Sequence, residues 1–97
     1  MNDPIKLVRR GGSTSIYIDM SIDENGNLLF SGQDIGSDPE EIFGDIDYEY
    51  WLTVPASEKD RLLLALLEEH YGGDALVIST LRELMESKQI PCSFHSF

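Results

Sequence analysis

Ile16, Ile18, Met20 and Ile22 alternate with Tyr17, Asp19 and Ser21. A period of two puts the first set on one face of an extended chain and the second set on the other, so this segment reads as a half-buried β-strand. The turn-forming run Asp23-Glu24-Asn25-Gly26-Asn27 follows directly. Two hairpin registers are open. A two-residue Asn-Gly loop sets Ile22 opposite Leu29 and Met20 opposite Ser31. A three-residue loop, with Gly26 in the left-handed conformation, sets Ile22 opposite Leu28 and Met20 opposite Phe30. The second register gathers more apolar side chains on one face and is preferred.

The rest of the chain supplies partners for that hairpin. Residues 5–9 are short and β-like, and Gly11-Gly12-Ser13 reads as a turn. Residues 33–45 read as a long connection. Within it Asp38 is placed to cap a helical turn, Pro39 to occupy its first position, and Glu40 and Glu41 to sit at the positive end of its dipole. Gly44 would stop that turn, and Ile42 and Phe43 would pin the loop to the core. Residues 46–54 form the clearest strand: Ile46, Tyr48, Tyr50, Leu52 and Val54 share one face, and Asp47, Glu49, Trp51 and Thr53 the other. Pro55 ends it.

Ser57, with Asp60 three residues on, is expected to cap a helix whose stripe is Leu62, Leu63, Leu66, Leu67 and His70. Gly72-Gly73 closes this helix. Asp74 is expected to cap a second helix reaching about Lys88, with Val77, Ile78, Leu81, Leu84 and Met85 as its buried stripe. Pro91 prevents continuation, and Pro91 to Phe97 reads as a last short strand or an ordered tail. Strands early and helices late indicate an α+β fold: an antiparallel sheet of about four to five strands with two helices packed on one face, residues 1–97 forming a single domain. At 97 residues and 41 % hydrophobic content the chain can bury a core without staples.

Charge is distributed unevenly. The net charge is −11, from 18 acidic and 7 basic side chains. No Lys or Arg occurs between Arg10 and Lys59, a stretch that holds Asp19, Asp23, Glu24, Asp34, Asp38, Glu40, Glu41, Asp45, Asp47, Glu49 and Glu58. Such a balance disfavours nucleic acid, whose backbone is neutralised by Lys and Arg, and disfavours an anionic membrane surface. It suits a basic protein partner. The candidate docking residues are Asp34, Asp38, Glu40, Glu41, Asp45, Asp47, Glu49 and Trp51, with Trp51 as an aromatic anchor ringed by charge. The competing reading is ordinary turn and cap chemistry on a solvated strand face.

The alternative functional class is a divalent-metal-binding protein or metal-dependent hydrolase using loop carboxylates such as Asp34, Asp38, Asp45 and Asp47. No spacing rule supports it. The turn at residues 23–27 fails as an EF-hand loop, because aligning Gly26 with the required glycine puts Ser21 at the first ligand position and Gly32 where the bidentate Glu should be. Cys92, His95 and His70 show no metal-ligand or nucleophile spacing; Cys92 reads as a small apolar residue on the last strand and His70 as a partly buried residue at a helix end. Arg9 to Thr14 lacks the phosphate-loop pattern, and no catalytic fingerprint occurs elsewhere. The expectation is therefore a non-enzymatic protein without cofactor, monomeric or weakly homodimeric. One cysteine, a longest apolar run of Leu62 to Leu67 and a Met1-Asn2-Asp3-Pro4 start without a leader pattern point to the cytoplasm.

The segments Leu28-Leu29-Phe30-Ser31-Gly32-Gln33-Asp34-Ile35-Gly36 and Gly44-Asp45-Ile46-Asp47-Tyr48-Glu49-Tyr50-Trp51-Leu52-Thr53-Val54 resemble a family of small bacterial α+β proteins with no assigned activity. The Leu-rich helix that follows and Lys88-Gln89-Ile90-Pro91 are similar too, so the resemblance spans residues 16 to 95. It implies a bacterial cytosolic origin and carries over no activity. In size and acidity the chain is also similar to immunity proteins that neutralise secreted toxins, a likeness at the level of the fold.

Overall fold

In the computed structural model, which describes residues 3–37 and 45–97, the chain forms four strands followed by two helices, an α+β arrangement. The strands are β1 (Ile5–Arg10), β2 (Thr14–Ile22), β3 (Leu28–Ser37) and β4 (Asp45–Val54). A 3₁₀ turn, Ala56–Glu58, leads into α1 (Lys59–Tyr71), and α2 spans Val77–Ser87. The chain divides into two compact units, Met1–Leu62 and Leu63–Phe97, each described by itself.

The first unit is an antiparallel meander in the order β1-β2-β3-β4. Ile22 pairs with Leu28 and Met20 with Phe30, the register of the three-residue loop. Asp23 and Asn27 close that loop: the Asp23 N–H donates to the Asn27 carbonyl at 3.0 Å, and the Gly26 N–H to the Asp23 carbonyl at 3.0 Å. Gly26 has φ +83°, where a Cβ would be strained. One Asp23 carboxylate oxygen accepts the backbone N–H groups of Asn25 and Asn27, each at 2.9 Å, and the other accepts the Asn27 amide at 3.1 Å. The Asn27 side chain in turn accepts the Ala56 N–H at 2.9 Å, tying the hairpin tip to the end of β4.

The long connection anticipated from residue 33 starts later. β3 runs on through Ser37, with Gln33 opposite Glu49, Asp34 opposite Tyr48 and Ile35 opposite Asp47. Glycines that resemble loop punctuation are accommodated within the ladder. A Cβ on Gly32 would fall 2.1 Å from the Tyr50 ring, so the missing side chain is the space that ring occupies. Gly32 is the only buried residue among the described ones. The anticipated helical turn at Asp38 to Glu41, with Ile42, Phe43 and Gly44, lies outside the described residues.

One sheet face carries the apolar set: Ile16, Ile18, Met20 and Ile22 beside Leu28 and Phe30, then Tyr50, Leu52 and Val54. β1 adds Ile5 and Val8 to it, with a bulge at Leu7 where the register shifts between Lys6 and Val8.

In the second unit the Gly72-Gly73 stop is present. The Gly72 N–H donates to the Glu68 carbonyl at 2.8 Å, and Gly73 has φ +84°. The two expected N-caps differ. Ser57 lies inside the 3₁₀ turn that Pro55 opens, because the Glu58 N–H bonds the Pro55 carbonyl at 2.8 Å. The Asp74 carboxylate accepts the Leu76 N–H at 2.9 Å, organising a turn one step before α2 starts. No strand forms after α2. Instead Phe94 lies under the Arg82 guanidinium, 4.1 Å from ring centroid to the charge.

α2 ends with the Ile90 N–H donating to the Met85 carbonyl at 2.8 Å and the Gln89 N–H to the Glu86 carbonyl at 3.1 Å. This is a Schellman closure with Gln89 at φ +58°, where glycine is favoured. Gln89→Gly should therefore stabilise the protein by about 1 kcal/mol, read as a higher midpoint in urea unfolding. Backbone N–H donors, Asn27 first, hold the Asp23 carboxyl below its ordinary value. A depressed carboxylate stabilises the fold above the unfolded-state pKa of 3.8 and loses that contribution as pH falls through the folded value. Asp23→Ala should lower Tm at neutral pH, and the difference from the parent should shrink in scans taken progressively below pH ~4.

Candidate functional site

Among the described residues β4 is an edge strand, one side of its backbone having no ladder partner. Its alternation puts Asp47, Glu49 and Trp51 on the face opposite the apolar set. All three are exposed, and Trp51 is 70 % accessible although it is the chain's single tryptophan. Asp47 is steadied from the neighbouring strand, where Gln33 Nε2 donates to its Oδ1 at 3.2 Å. Glu49 lies one row along, opposite Gln33, and Trp51 opposite Ser31. The arrangement is a flat indole flanked by carboxylates along an open strand.

The sequence-derived candidates separate into three groups. Asp47, Glu49 and Trp51 share this surface, and Asp45 is the first residue of the same strand. Asp34 is on the other face. It pairs with Ile16 and Tyr48, and its Oδ1 accepts the Tyr50 hydroxyl at 2.8 Å. The third group, Asp38, Glu40 and Glu41, lies outside the described residues.

Asp34 and Tyr50 make a small polar station at the end of the apolar face. The carboxylate that accepts the phenol proton, together with its charge, raises the Tyr50 ionisation above 10.0. Tyr48 lies alongside, its ring centroid 5.4 Å from that of Tyr50.

Two cations outside the sequence-derived docking set stand at the far edge. On β1, Lys6 and Arg9 share the face of Glu49 and Trp51, since Lys6 pairs with Asp19 and Arg9 with Tyr17. Arg9 is ion-paired to Asp19, donates through Nη1 to the Val8 carbonyl at 2.8 Å, and lies over the Tyr17 ring at 5.5 Å. Their spacing from the acidic segment in sequence gives no hint of this shared face; only strand pairing produces it.

Among the described residues, no three His, Cys, Asp or Glu side chains come together closely enough to hold a metal ion. No helix among them is long and apolar enough to cross a membrane. Cys92 is exposed near Ser79, Arg82, Glu83 and Glu86, and His70 is exposed in the last turn of α1 rather than partly buried. No family model matches the chain, and no curated protein or solved structure matches it.

A phenol whose folded-state pKa is raised stabilises the fold below its unfolded value of 10.0 and loses that contribution as pH rises through the folded value. Asp34→Asn should bring the Tyr50 ionisation back toward 10.0, read as an earlier rise in tyrosinate absorbance. Gly32→Ala should do the same by expelling the ring, with a cost of roughly 1–3 kcal/mol for the overpacking.

Proposed function

We propose that this chain is a non-enzymatic binding protein whose β4 edge docks a basic protein partner. The observation that carries the reading is the exposed indole of Trp51 beside Asp47 and Glu49 on an edge strand. An exposed tryptophan supplies a large, rigid contact area, the kind of group that dominates binding energy once a partner buries it. The carboxylates supply register and rate. A net charge of −11 speeds encounter with a cationic surface and repels acidic competitors. The open backbone adds hydrogen-bonding capacity that a partner's extended segment can satisfy. An inhibitor of a basic toxin, in the manner of immunity proteins, is one form this activity takes. The cytoplasm is the compartment proposed for it.

The test is capture from a lysate of the source cells on the immobilised protein at two ionic strengths, with D47N/E49Q and W51A as comparators. A basic protein held in stoichiometric amount by the parent should be released by added salt and should associate at least about tenfold more slowly with D47N/E49Q. Equal retention by parent and both variants removes β4 as the docking surface.

A further inference from the structure

The two edges of the sheet are complementary to each other. Three of the chain's seven basic residues, Lys6, Arg9 and Arg10, lie on β1, and the described carboxylates Asp47 and Glu49 lie on β4 at the opposite edge. We propose that the β4 edge receives the β1 edge of a second copy of this chain, so that the sheet continues antiparallel from one molecule into the next. The inference rests on the reading of β4 as a docking edge and names a partner for it.

Strand direction permits this pairing. In a four-strand meander β1 and β4 run in opposite directions, so a second β1 laid beside β4 in the same orientation is antiparallel to it. Backbone parity permits it as well. Hydrogen-bonded and non-hydrogen-bonded pairs alternate across a row of antiparallel strands. Continuing each row without a shift therefore leaves donors and acceptors on a usable side on either flank of the bulge at Leu7.

The rows then predict the contacts. Lys6, Asp19, Ser31 and Trp51 form one row, and Arg9, Tyr17, Gln33 and Glu49 the next on the same face. A second copy's Lys6 would stand opposite Trp51 and diagonal to Glu49, positions suited to a cation–π contact and an ion pair. Its Arg9 would stand opposite Glu49. On the other face, Ile5, Met20, Phe30 and Leu52 share a row, as do Val8, Ile18, Gly32 and Tyr50. Ile5 would thus meet Leu52 and Val8 would meet Tyr50. Ile5 and Leu52 are 58 % and 59 % exposed, so both have area to lose. Lys6 and Arg9 thus meet Trp51 and Glu49 on one face, and Ile5 and Val8 meet Leu52 and Tyr50 on the other, where Arg10 falls in the row of Tyr48.

Symmetric pairings are disfavoured by the same groups. Two β4 edges would oppose carboxylates, and two β1 edges would oppose cations. The contact is therefore heterologous, leaving one acidic and one basic edge free at the ends of the assembly unless it closes into a ring.

Sedimentation velocity of the full chain over a wide concentration range, at low and moderate salt, tests this. The parent's average mass should rise with concentration, and more so at moderate salt, which screens the repulsion between two copies of net charge −11. Lys6→Glu and Glu49→Lys should each weaken association at least about tenfold, because each sets like charges across the junction. An equimolar mixture of the two variants should form one-to-one dimers, since the β4 edge of the Lys6→Glu variant meets the β1 edge of the Glu49→Lys variant with the parent's own residues. Circular dichroism of each variant checks that the sheet is intact. A parent that stays monomeric throughout at both salts overturns the inference, as does self-association that neither variant changes. Neither outcome bears on the docking edge itself, because capture of a basic protein that D47N/E49Q loses requires no second copy.

Discussion

The Asp23 carboxylate gathers two backbone N–H groups and the Asn27 amide at the tip of the β2–β3 hairpin, while Gly26 takes the left-handed conformation that a three-residue loop demands. These contacts set the register of the central pair. Side chains alternate strictly along a strand, so a slip of one residue would carry the β3 set to the wrong face. With the register held, Leu28 and Phe30 fall beside Ile22 and Met20. β4 pairs on the far side of β3 and inherits the same assignment, which is what turns Trp51, Asp47 and Glu49 outward together. The Asn27 side chain reinforces the arrangement by bonding the backbone just beyond β4. The candidate surface thus depends on a turn remote from it.

Two opposed demands meet on β3. It must continue far enough to pair with the acidic half of β4, yet it contains Gly32 and Gly36, which weaken a strand. Tyr50 reconciles them. Its ring lies over Gly32, and its hydroxyl reaches Asp34. The cross-strand aromatic fills the space the glycine leaves and satisfies a carboxylate at the end of an otherwise apolar face. The acidity of the middle of the chain is therefore divided: Asp34 has an internal acceptor role, while Asp47 and Glu49 are directed to solvent. Charge in the sequence and charge at the surface are not the same quantity.

Edges decide what a sheet of this kind can do. A strand with an open side offers hydrogen-bonding groups to any extended chain, and like charges on it restrict which chains can approach. Here one edge is acidic with an indole and the other is basic with a bulge at Leu7. This polarity distinguishes the surface from a uniformly acidic one, whose charge would serve solubility alone. Contacts at either edge are therefore sensitive to ionic strength.

Local pattern alone determined a good part of this structure. The alternation at Ile16 to Ile22 and Ile46 to Val54, the Gly26 turn, the Gly72-Gly73 stop and the two Leu-rich helices are each written within a few residues, because strand and helix periodicity and glycine's conformational freedom act at that range. The readings that failed involve competition between local signals. Gly32 to Ser37 carries loop-like residues but is held as strand by β4, and Ser57 and Asp74 have capping chemistry but are taken up in adjoining turns. Only the tertiary structure decided that Asp34 turns away from Asp47, that the cations of β1 share a face with Glu49 and Trp51, and that acid and base stand on opposite edges. The last two of those relations join residues some 40 positions apart. They are set by the cumulative register of three strand pairs, a quantity to which no local sequence pattern is sensitive.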